Sequence, residues 1–168
     1  LSDEQFLDQL RDWAFNRDYA MRVLPHVKQR VETFGEVVDK AGFCFSGMVA
    51  VEEADFQHPK HDAEAMKVWL QFYLWSCEAR RDWQRDGLFA DAKQLADALE
   101  IKIKDFLFPV FVAIAGTSAS FSVVDSMELL GPDISRARLR HAIDVLGGVS
   151  KKQTKKLEKE WAAIVPAN

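Results

Sequence analysis

Ten successive residues, Phe106 to Ala115, carry no polar side chain. A stretch apolar on every side suits a helix buried all round, not one with a face in water. It is well short of the ~18 apolar residues that a membrane-spanning helix needs. Gly116 follows, and glycine readily takes the left-handed backbone that ends a helix. Thr117-Ser118-Ala119-Ser120 then reads as a polar turn. The spacing predicts Ser120 as the cap of a helix through Leu130, its hydroxyl accepting from free amides. Gly131-Pro132 is expected to close that helix, Ser135 to open another, and Gly147-Gly148 to stop it. A buried helix followed by two more, joined by tight turns, implies an all-α fold.

The flanking segments agree with that class. Ser2-Asp3-Glu4-Gln5 has the form of a capping box, and Phe6, Leu7, Leu10 and Trp13 follow at helical spacing. A short helix is expected over Asp18–Leu24, and Pro25 is expected to start the next one, carrying Val27, Val31 and Phe34. Residues 41–61 are the least regular and read as a linker, dividing a helical bundle into two small subdomains, 1–50 and 51–168. From Asp62 a broad stripe of Met66, Trp69, Leu70, Tyr73, Leu74 and Cys77 predicts a core-facing helix, with Arg80 and Arg81 at its C-terminal dipole. Asp86-Gly87 reads as a turn before a second amphipathic helix through Leu99. Ser150 is expected to cap a last helix with Leu157, Trp161 and Ile164 inward and five lysines outward.

Composition narrows the function. At 168 residues and 48% hydrophobic content, with twelve Phe and five Trp, the chain can bury a real core and is no disordered tail. Cys44 and Cys77 stand alone, which suits a reducing compartment, and no leader precedes them, so a cytoplasmic place is expected. The net charge of −4 argues against a broad nucleic-acid surface. Its distribution is uneven: residues 132–168 hold 8 Lys/Arg against 4 Asp/Glu, leaving 14 against 22 in residues 1–131. That basic end could meet phosphate over a limited patch, or be a solvated helix face.

Catalytic motifs are absent: there is no GxxxxGK[ST], GxGxxG or GxSxG. No catalytic, cofactor-binding or metal-binding residue is therefore assigned. His58 and His61 with Asp62 and Glu64 are ligand types, but read more simply as an exposed loop. Glu52, Glu53 and Asp55 read as solvated acids, His141 as a surface or core-edge residue, and Trp69, Tyr73 and Trp83 as core.

The stretch from Phe106 to Leu139 also resembles the C-terminal, anticodon-binding part of bacterial-type glutamyl-tRNA synthetases. That family shows a Phe-x-Pro-Leu-Arg-x-Ala-Leu-Thr-Gly run, a turn ending in Ser/Thr-Pro, a Leu-Glu-Leu-Leu-Gly segment and an Arg-Leu pair. Phe106 or Phe108, Pro109, Ala113, Ile114 and Gly116 match the first; Met127-Glu128-Leu129-Leu130-Gly131 and Arg138-Leu139 match the last two. Arg30-Val31-Glu32-Thr33, Trp83, Asp86 and Ile101-Lys102 resemble further family segments. Phe111, Ala115 and Phe121 depart from it, standing where the family has Arg, Thr and Pro. The resemblance implies an α-helical anticodon-binding bundle, monomeric and without a membrane segment, that binds tRNA(Glu), with tRNA(Gln) as a second candidate. From the family's turn the resemblance carries over Ser120. Arg30, Arg136, Arg138 and Arg140 join it as tRNA-binding candidates, because a guanidinium can reach phosphate or base edges; the alternative is that Ser120 is simply a cap and these arginines pair with acidic neighbours. Ligation with ATP and Mg would belong to a parent enzyme, because the His-x-Gly-His and Lys-Met-Ser-Lys-Ser type loops are absent here. The chain would then be no enzyme on its own. The competing reading is a helical protein-interaction module, and a small helical metalloenzyme is a third.

Overall fold

The computed structural model describes residues 1–14, 16–118 and 120–165; Ala119 of the predicted turn and the Trp13 side chain lie outside them. Among the described residues the fold is all-α and no strand is present. The helices are α1 (Asp3–Ala14), α2 (Arg17–Val27), α3 (Gly35–Ala41), α4 (Ala63–Ala79), α5 (Arg85–Ala98), α6 (Ile103–Ala115), α7 (Val123–Val145) and α8 (Lys151–Ile164). Short 3-10 turns lie at Lys28–Arg30, Gly42–Phe45 and Glu53–Phe56. No described helix is long and apolar enough to cross a membrane.

The apolar run becomes α6, packed against α4, α5 and α7, with Phe106, Val110, Val112, Ala113 and Ile114 buried. Gly116 ends it at φ 71°, donating its N–H to the Val112 carbonyl at 2.9 Å. A Cβ there would face Ala50 O and Val49 at 3.5 Å as well as a disfavoured φ. Every member of the predicted α4 stripe is buried, and Tyr73 donates its hydroxyl proton to Leu88 O at 3.1 Å. Each such large apolar side chain contributes roughly 1.5–3 kcal/mol on leaving water. The expected capping box of Ser2 with Gln5 forms, and the expected cap at Ser150 forms as a capping box with Gln153.

Several boundaries differ from expectation, each for a physical reason. Pro25 does not start a helix; it sits in the last turn of α2, where its fixed φ fits and only one backbone bond, to Met21, is forgone. Val31 leaves the helix in extended geometry, and Phe34 stands 97% exposed. Gly131 does break the chain between two helical segments, at φ 81°, but the second begins at Pro132 and not at Ser135, which is buried. Asp86 and Gly87 lie inside the first turn of α5. Gly87 leaves room for Arg80, whose guanidinium grips Asp91 twice at 2.8 Å and would meet a Cβ at 2.2 Å. Within 41–61, Ala41, Phe43, Cys44, Val51 and Phe56 all enter the core. Phe6, Leu7 and Leu10 of the predicted α1 stripe, by contrast, are exposed to water.

The cap before α7 also moves by two residues. Ser122, not Ser120, accepts from the Asp125 amide, at 3.4 Å, while Ser120 donates to the Lys40 carbonyl at 3.4 Å. The reason is Phe121, which is 2% exposed and is drawn onto the rings of His26 and Phe43. Ser122→Ala is therefore expected to lower stability by about 1 kcal/mol, and Ser120→Ala by less than about 0.5 kcal/mol. Urea unfolding of the two variants checks the assignment; equal losses would contradict it.

Candidate nucleic-acid interface

Two of the five sequence-predicted residues meet. Arg30, in the 3-10 turn after α2, and Ser120, before α7, line one hollow of about 300 Å³ together with Val27, Lys40 and Phe121. Arg30 uses Nη1 to donate to the carbonyl of His26 at 2.7 Å, which anchors the guanidinium and leaves its other N–H groups toward solvent. Among the described residues neither Arg30 nor Lys40 forms an ion pair with an acid. Phe121 forms the floor: its ring stacks on His26 at 5.2 Å and 23° and leans on Phe43 at 5.5 Å. Two cations and a hydroxyl thus converge over an aromatic floor, on which the half-buried His26 imidazole is stacked. Such a set can hold a phosphate electrostatically and cover the flat face of an unstacked base.

The other three arginines stand elsewhere, and two of them hold helix ends. Arg138 is 0% exposed. Its Nε donates to Gly47 O at 2.9 Å, Nη1 to Ile114 O, and Nη2 to Phe43 O and Ser46 O at 2.7 Å each. Ile114 lies in the last turn of α6, and Phe43 in a 3-10 turn, so the cation closes carbonyls that helix ends leave unpaired. Among the described residues no carboxylate pairs with it; the negative ends of the two helical segments supply the compensating charge. Burial lowers its pKa from the usual arginine value, with Cys44 and Tyr19 opposing. Burial likewise pushes the Cys44 thiol up to about 12. A guanidinium so enclosed has no donor to offer RNA, and its expected tRNA-binding role is withdrawn.

Arg136 does the same for α4. Nε and Nη2 donate to Cys77 O at 3.1 and 2.7 Å, and the guanidinium lies 5.2 Å from the Trp83 ring. Trp83 in turn donates Nε1–H to Met127 O at 2.7 Å, beside the break at Gly131. Arg140 is exposed, but it pairs with Glu78 and lines a different hollow, with Trp75, Asp144 and Thr154. Arg136, Arg138 and Arg140 therefore do not join the Arg30–Ser120 group. Sequence reasoning missed Lys40, His26 and the Phe121 floor as its companions. The aromatic at 121 was visible only as a departure from the family pattern, and nothing local marked Lys40.

The remaining polar candidates serve the fold. Glu52 and Asp55 cap the 3-10 turn between them, with Asp55 Oδ2 accepting from the Glu52 amide at 2.7 Å. Asp62 caps α4 through the Ala65 amide, and Glu64 pairs with Lys67. His58 and His61 stack on each other and face Asp105 at 3.8 and 3.5 Å. Among the described residues no three such groups are arranged to hold a metal ion.

Comparison with known proteins supplies the context for the hollow. The model of the anticodon binding domain family matches residues 5–143. Glutamate–tRNA ligase of Alcanivorax borkumensis is 73% identical over 160 residues, which is 95% of this chain and 32% of that protein. The Marinobacter nauticus ligase is 53% identical over 164 residues, 98% of this chain and 33% of that one. The chain thus spans about a third of the length of the curated relatives it matches. A glutamate tRNA ligase structure from Elizabethkingia meningosepticum aligns with 87% of this chain and 30% of its own, at TM-score 0.62 and 16% identity, and so shares the fold. With the sequence match covering most of the helical core and the fold agreeing, the chain belongs to the anticodon-binding domain family.

Proposed function

We propose that this chain is the tRNA-reading part of a glutamate–tRNA ligase and grips the anticodon arm of tRNA(Glu) in the hollow of Arg30, Lys40, Ser120 and Phe121. The match of residues 5–143 to the family carries this reading, and the two exposed cations over an aromatic floor support it. Arg30 and Lys40 attract phosphate, and the half-buried imidazole of His26, backed by the buried Phe121 ring, receives a splayed base. The chain orients tRNA; charging with glutamate belongs to the remaining two thirds of the ligase. In this reading ATP and Mg bind outside the chain, which has no ligase activity alone. It works as a cytoplasmic monomer whose helices form two subdomains, 1–50 and 51–168.

The test is binding of a tRNA(Glu) transcript across a salt series. Arg30→Ala is expected to weaken binding about tenfold, as the loss of a charge-assisted contact. Lys40→Ala is expected to reduce the log–log salt slope by about one. Variants that bind like the wild type would remove the hollow from the interface. The exposed Phe6, Leu7 and Leu10 favour a second reading, a protein-contact module. Absence of any salt-dependent tRNA binding by the wild-type chain would decide for it.

A further inference from the structure

Helix α8 begins at Lys151, beyond the last residue matched by the family. Taking about 100° per residue, Lys151, Lys152, Lys155, Lys156 and Lys159 fall within one arc of about 140°. Leu157, Trp161 and Ile164 occupy the opposite side and face the protein. Long-range contacts hold the helix in that rotation. Trp161 donates Nε1–H to Ser76 Oγ at 3.1 Å and meets Trp75 edge-on at 6.0 Å, and Gln94 donates to the Ile164 carbonyl at 2.9 Å. The lysines therefore cannot roll inward. All five are exposed, and only Lys156 has an ion pair among the described residues, with Glu160 at 3.6 Å. Glu158 and Glu160 flank the arc and do not enter it.

Two features decide what such a surface takes. It has no aromatic or large apolar residue within the arc, only the small exposed Ala162 and Ala163 near its C-terminal end, and protein interfaces are depleted in lysine while needing apolar anchors. Hydrated ammonium groups on flexible stems suit a phosphate backbone, where attraction comes from released counterions and desolvation is slight. The charge is also concentrated where the rest of the chain is acidic: 8 Lys/Arg against 4 Asp/Glu after residue 131, and 14 against 22 before it. The row from Lys151 to Lys159 is about 12 Å long, enough to follow successive phosphates.

We propose that the lysine arc of α8 is a second RNA-contact surface, which binds the phosphate backbone of the tRNA outside the anticodon loop. It rests on the reading of the chain as a tRNA-binding module and extends it to a separate place. The hollow is built from α2, α3 and the turn before α7, whereas α8 packs on α4 and α5. The arc adds affinity and salt sensitivity and reads no bases, because phosphate contacts carry no sequence information.

The experiment titrates the whole chain with a tRNA(Glu) transcript between about 50 and 200 mM salt, where phosphate contacts are most visible. The variant carries Lys151→Gln, Lys152→Gln, Lys155→Gln and Lys159→Gln together, and a fourfold arginine variant preserves the charge. The glutamine variant is expected to bind about tenfold more weakly at the lowest salt, with a log–log slope smaller by about three, at an unchanged unfolding midpoint. The arginine variant is expected to restore both. Discrimination against a tRNA with an altered anticodon should be the same for all three. A glutamine variant with wild-type affinity and slope would overturn the lysine arc and leave the hollow standing. A wild-type chain that binds no tRNA would overturn both.

Discussion

Arg138→Ala is expected to cost about 3–5 kcal/mol of folding stability, enough to bring a domain of ordinary stability near its threshold. The variant deletes four donors at once. The carbonyls of Phe43, Ser46, Gly47 and Ile114 remain, drawn together by geometry and with nothing to bond inside. Each buried acceptor left unpaired costs about 1–3 kcal/mol, partly recovered where water can enter. The damage extends beyond one contact, because the guanidinium joins three segments: the 42–47 turn, the end of α6 and the middle of α7. Arg138→Lys keeps the charge but has only three donors on a single nitrogen, so it should recover only part of the loss. Urea unfolding measures both. If Arg138→Ala unfolds at the wild-type midpoint yet binds tRNA poorly, the buried clamp is the wrong account of this residue.

That residue also marks where the sequence stops being readable. Signals that act within one turn were legible: the apolar run of α6, the Gly116 stop, the Ser2 capping box, the Ser150 cap and the stripe of α4. Each depends on neighbours three or four residues away, which a sequence displays directly. The failures depended on distant partners. An arginine two residues from Arg136 and Arg140 looks like one of three equal surface cations. Its burial follows only from carbonyls 91 and 95 residues away, at Gly47 and Phe43. The cap before α7 moved because Phe121 is drawn down onto Phe43 and His26, again from another part of the chain. Pro25 was misread because the helix expected to end at Leu24 runs on to Val27, and a proline suits a last turn as well as a first one. The hollow was half visible: resemblance pointed to Arg30 and Ser120, but Lys40 joins through a contact spanning 80 residues. The lysine row of α8 was legible as charge, and its outward rotation needed Trp161 and Gln94 to be placed.

Phe121→Ala is the second substitution with a large expected effect, and it links the core to the hollow. The ring is 2% exposed, so truncation should cost about 3–4 kcal/mol through lost transfer energy and the cavity left beside Phe43. The same ring supports His26 and forms the floor between Arg30 and Lys40. Its loss should release the turn before α7 and let both cations spread, weakening tRNA binding beyond what Arg30→Ala does alone. Phe121→Leu separates the two effects. It keeps most of the volume, at a cost near 1 kcal/mol, but removes the flat face that stacks on the imidazole. If the floor acts by holding the cations in place, Phe121→Leu should bind tRNA nearly as the wild type does. If instead the stacked pair itself covers a base, affinity should fall several-fold in Phe121→Leu while its unfolding midpoint barely moves. Binding measured below the unfolding temperature of each variant, beside urea melts, reads the two contributions separately. Phe121→Ala with wild-type stability would mean the ring is not the anchor of that turn.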